Sequence, residues 1–135
     1  MPNARLAARI LREIIEHPEH YNQAHWVHGA DTVPPHNDLG GDGDLTCGTT
    51  LCIAGYAAHL TGYTLTGELA AKPGHRKRFI YDVARAELDL TENDATWLFW
   101  GGRTPAQAHA ALTQLAAGAP TIDQATIHQT HPTAP

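Results

Sequence analysis

Residues 91–112 read TENDATWLFWGGRTPAQAHAAL, and two helix starts and one helix stop can be read from them. Thr91-Glu92-Asn93-Asp94 has the form of a capping box, with a hydroxyl at the cap and a short acid three residues on. A helix over about 92–100 follows, and Gly101-Gly102 ends it. Thr104-Pro105-Ala106-Gln107 then opens another helix. It has a threonine cap, proline at the first helical position and glutamine at the third. Ala108, Ala111, Leu112 and Leu115 form its apolar face, and Gly118 stops it.

Outward from this stretch the helical pattern continues. Residues 3–16 carry Leu6, Ala7, Ile10, Leu11, Ile14 and Ile15 at helical spacing, with Asn3 as cap and Pro18 as limit. CIAGYAAHLT at 52–61 reads as a short helix whose Gly55, Ala57 and Ala58 allow close packing, and Thr49 or Thr50 is expected to cap it. A further helix is expected at about 76–88, with Phe79, Ile80, Val83, Ala84 and Leu88 inward. Residues 63–69, YTLTGEL, alternate weakly and suit a short extended segment. Between 17 and 46 the chain is polar, rich in His, Asp, Gly and Pro, and has neither period. The expected fold is therefore mainly α, a single-domain bundle of about five short helices with a long irregular loop at 17–46. Residues 1–118 form the helical domain in this reading. Residues 119–135 form a flexible C-terminal extension, in which Thr121–Gln124 can open one more short helix.

The chain has 135 residues, enough for one core with about two-thirds of its surface buried. No apolar run reaches the roughly 18 residues of a membrane span, and the N-terminus lacks the pattern of a secretory signal. Nine Lys and Arg against fourteen Asp and Glu give a formal charge of −5, which weighs against a general nucleic-acid binder. Two cysteines make no disulfide framework and fit a reducing cytoplasm. Ten histidines predict that solubility or assembly changes between about pH 7 and 5.

His17-Pro18-Glu19, Asn22-Gln23, Trp26 and the block Cys47-Gly48-Thr49-Thr50-Leu51-Cys52-Ile53-Ala54-Gly55-Tyr56-Ala57 resemble an uncharacterised group of small proteins of actinobacteria and their phages. Leu88-Asp89-Leu90-Thr91 and Leu98-Phe99 extend the likeness, which spans about residues 10–115 in outline. The Cys-Gly-Thr block is its specific part. The resemblance implies origin and fold kinship, not an activity. Tyr21 and Tyr56 stand where that group commonly has tryptophan. The stretch from Trp26 to Cys47 is unusually long, which weighs against a shared role for 31–44.

Several groups of residues bear on function. Cys47, Cys52, His25, His28 and His59 are of the right type for zinc, and Cys52 and His59 share a helix face. The four residues between the cysteines fit no strong zinc pattern, and a buried, structural pair is the alternative. Cys47 ahead of a helix, with Gln23 and a histidine, has the parts of a cysteine nucleophile but not the spacing. A Cys47–Cys52 disulfide is awkward with Cys52 in a helix. Asp38, Asp42, Gly43 and Asp44 lack the closing glutamate of an EF-hand. Lys72, Arg76, Lys77 and Arg78 form a basic corner open to nucleic acid or to an acidic protein. Trp97, Phe99 and Trp100 cannot all face one core, so either Phe99 or Trp100 lies at the surface as an interface residue, or the aromatics form a second buried layer under the long loop, where Trp26 also packs.

The resulting expectation is a small, non-enzymatic, cytoplasmic accessory protein of phage or actinobacterial origin. It binds another macromolecule, most plausibly a host or phage protein, through Trp26, Trp97, Phe99 and Trp100 and the 17–46 loop. Self-association is open, and no membrane contact or obligatory cofactor is expected. The alternative is a zinc- or DNA-binding regulator using Cys47, Cys52, His59 and the 72–78 corner.

Overall fold

The computed structural model describes residues 1–35 and 49–132. Six α-helices lie among them: α1 Ala4–Glu16, α2 Ile53–Leu60, α3 Ile80–Leu88, α4 Glu92–Leu98, α5 Pro105–Ala116 and α6 Gln124–Thr130. Two small antiparallel sheets join them. One pairs β1 Val27–His28 with β2 Thr50–Leu51. The other has the order β3 Thr64–Thr66, β4 Leu69–Ala71, β5 Arg78–Phe79. The fold is thus mixed rather than purely helical, with one helix more than expected. Strands of two or three residues are too short to show a period, so most escape a sequence reading.

α2 is the centre. All eight of its residues are buried. α3 packs along it, and α1 and β3 also touch it. The close approach expected at Gly55 is real. A β-carbon there would lie 2.5 Å from the carbonyl oxygen of Trp26 and 3.2 Å from the β-carbon of Leu51. The helix is capped by neither Thr49 nor Thr50. Thr50 pairs in β2, and Cys52 is the cap, its sulfur accepting from Gly55 N–H at 3.4 Å.

α1 begins as the sequence indicates, with Asn3 accepting from Leu6 N–H at 3.0 Å. Leu6, Ala7, Ile10 and Ile14 are buried, and α1 packs chiefly on α5. On α5 the small Ala108 and Ala111 are buried beside Leu112 and Leu115, which lets the two helices pack together. The Thr104/Gln107 capping box is complete in both directions, each bond 3.1 Å.

The described part of the 17–46 loop is organised. Pro18–His20 form a 3-10 turn, and β1 follows. Val33 bridges Leu65 with two bonds of 2.8 Å, covering the outer edge of β3. Two helix boundaries shift. α3 starts at Ile80, because 78–79 are drawn into a strand, and Phe79 is 53% exposed instead of inward. α4 ends at Leu98, with Phe99 as its C-cap. Residues 119–132, read as an extension, carry α6, and Ile122 and Ile127 from this stretch join the core.

Gly55→Ala forces the Trp26 carbonyl away from α2. The expected loss is about 1–3 kcal/mol, as for other overpacked cores. Urea unfolding measures it, and an unchanged midpoint contradicts the packing.

Candidate functional site

The exit of α4 carries the densest functional geometry. Trp97 and Phe99 are buried, and Trp100 is 51% exposed. Of the two candidates for the surface, Trp100 is the one that reaches it. It lies beyond the end of the helix, in the turn leading to α5. Its ring packs on its own turn: a β-carbon on Gly102 would come within 2.6–3.0 Å of three indole carbons. The glycine therefore lets the indole fold back on its own turn.

Arg103 completes the arrangement. Its guanidinium lies 4.1 Å from the Trp97 ring centroid and 4.8 Å from that of Trp100. Its Nε–H donates to the Trp97 carbonyl at 2.9 Å. The residue is only 9% exposed, and burial holds its pKa below the ordinary arginine value. Trp97 is fixed from the other side, since its Nε1–H donates to His128 Nε2 on α6 at 3.0 Å. That bond needs the neutral tautomer of His128, with the proton on Nδ1.

Trp97, Trp100 and Arg103 line an open cleft of about 680 Å³ between α4 and the start of α6, together with Glu92, Thr96 and Gln124. Buried Asp94 ties the two walls together. Its carboxylate accepts from Ile122 N–H at 3.1 Å and from Gln124 Nε2 at 3.1 Å.

The 17–28 segment is latched to the same turn by Gln23. This buried amide donates to the Leu98 carbonyl at 2.7 Å and the Trp100 carbonyl at 3.1 Å, and accepts from the Tyr21 hydroxyl at 2.9 Å. It serves the Leu98 carbonyl, one of those a helix end leaves without intrahelical partners, and shares the Trp100 carbonyl with the Arg103 backbone N–H. Trp26 is half-buried against the core, and a space of about 140 Å³ beneath the segment is lined by Trp26, Phe99, Gln23 and Cys52. Trp26 and Phe99 thus line one space, and neither Trp97 nor Trp100 lines it.

The basic corner is divided. Lys72 donates to the Thr61 carbonyl at 3.2 Å and lies 4.8 Å from the Tyr63 ring. Arg78 donates to the Asp82 carbonyl at 3.3 Å. Only Arg76 and Lys77 stand exposed in the turn between β4 and β5. Cys52 and His59 are both buried on α2. Among the described residues no three His, Cys, Asp or Glu side chains converge to hold a metal. Cys47 and the acidic stretch Asp38–Asp44 lie outside the described residues. Among those described, no helix is long and apolar enough to cross a membrane.

Sequence reasoning missed Arg103 and His128. A lone arginine after Gly-Gly belongs to no motif, and His128 is one histidine among ten. Comparison with protein families, with curated proteins and with solved structures finds no match to this chain.

Burial pushes the Cys52 thiol up to about 11. In a Cys47→Ser variant at pH 8, iodoacetamide should modify native Cys52 at least about a hundredfold more slowly than the unfolded chain, because the thiolate is the reacting form. Rapid native labelling contradicts the burial.

Proposed function

We propose that this chain is a small binding protein that captures another protein with the Trp97–Arg103–Trp100 face. The observation that supports this reading is a half-exposed tryptophan held in place over an open cleft. An exposed indole that is already fixed loses little conformational freedom on binding. Tryptophan and arginine are also the residues most enriched at the energetic centres of protein interfaces. Here they are stacked on each other at the mouth of one cleft.

Binding rather than chemistry is favoured by the state of the one described cysteine. An activated nucleophile has a lowered pKa and some exposure, and Cys52 has the reverse. The formal charge of −5 and the internal bonds of Lys72 and Arg78 weigh against nucleic acid as the partner. The resemblance to small actinobacterial and phage proteins supports an accessory role in the cytoplasm of such a cell, with a host or phage protein as the captured partner. The segment around Trp26, latched by Gln23, supports the face from beneath.

A photo-reactive benzoylphenylalanine placed at Thr96, in the cleft lining, should form a covalent adduct with a polypeptide in an extract of the producing cell. Adding Trp100→Ala should lower the yield about tenfold or more, as truncating an interface anchor does. Circular dichroism should be unchanged, since half of the indole already faces water. An adduct that forms equally well without Trp100, or no adduct, contradicts the reading.

A further inference from the structure

Arg103 has an unusual environment for a cation. Its guanidinium carbon lies 4.1 Å from the Trp97 ring centroid and 4.8 Å from that of Trp100. Its Nε–H is used by the Trp97 carbonyl. Among the described residues no carboxylate pairs with it, and no further acceptor meets its terminal nitrogens. The one buried acid nearby in sequence, Asp94, spends its oxygens on Ile122 and Gln124. Glu92 lines the same cleft but forms no ion pair with the guanidinium.

Taking a cation out of water is costly unless it is paired and hydrogen-bonded. Two cation–π contacts and one neutral acceptor offset only part of that cost. The terminal N–H groups of the guanidinium meet no acceptor among the described residues yet are not sealed from water, and their paired geometry matches a carboxylate bidentately. The edge belongs to a residue lining the open cleft, and the exposed face of the Trp100 indole lies beside it.

We infer that the Arg103 edge is a carboxylate-binding subsite, filled by an acidic side chain of the partner protein, with a neighbouring aromatic or apolar side chain of that partner laid on Trp100. The inference rests on the protein-binding reading given above and specifies the chemistry of the partner. The charge balance selects a single carboxylate over a polyanion. The chain carries −5 overall and Glu92 lines the cleft, so a run of phosphates meets more repulsion than one carboxylate at Arg103 does.

Two isosteric probes test it on the unaltered full chain: N-acetyl-Phe-Asp-amide and N-acetyl-Phe-Asn-amide, with inorganic phosphate as a third. Binding is read from the Arg103 Nε–H and the Trp97 and Trp100 indole N–H signals in proton–nitrogen spectra. The aspartyl peptide is expected to shift all three and to bind about tenfold or more tightly than the asparaginyl one, as a charge-assisted bidentate pair requires. Arg103→Lys keeps the charge and loses the fork, so the preference for aspartate should fall several-fold. Equal binding of both peptides overturns the inference, as does no binding, or a response to phosphate alone. If the peptides fail while the Thr96 adduct still depends on Trp100, only the carboxylate assignment falls. If both fail, the protein-binding reading falls with it.

Discussion

The carbonyl of Trp26 occupies the space a side chain on residue 55 would need. That contact sets the distance between α2 and the β1 strand, and much else follows from it. α2 is buried all round, so every neighbouring element must come close to it. A small face of Gly55, Ala57 and Ala58 makes this possible without voids, which a tightly packed interior does not tolerate cheaply. With β1 seated there, the Tyr21–Trp26 segment is fixed beneath the exit of α4.

From that position Gln23 reaches the Leu98 and Trp100 carbonyls. The end of α4 is thereby satisfied by a side chain from far away in sequence. The turn after it then takes a shape set by its own residues, and the missing side chain at Gly102 lets Trp100 fold back. Arg103 lies over both indoles. The recognition surface is therefore a consequence of helix termination. It forms where α4 stops, because the residues that stop it also aim the aromatics.

Much of this was legible in the sequence because it is local. Asn3, Thr91 and Thr104 cap the helices their patterns announce. Gly55 marks a close approach, and Phe99 and Trp100 are the candidates for an aromatic at the surface. The rest is long-range. β1 and β2 pair across more than twenty residues of intervening chain, and two-residue strands carry no period. Phe79 reads as apolar and inward, but pairing of residues 78–79 with β4 turns it to solvent. Cys52 displaces the threonines as cap of α2 because β2 has already claimed Thr50. The Arg103 stack and the Trp97–His128 bond join α4 to α5 and α6 through single residues, and no spacing rule points to them.

The central claim is that Trp100, though half exposed, is a fixed part of a preformed face. Nitrogen relaxation of its indole N–H tests this most directly. The account predicts an order parameter near the roughly 0.85 of rigid backbone, because Gly102 and Arg103 hold the ring. A value below about 0.6 would mean an indole that samples many orientations, and it would contradict the preformed face.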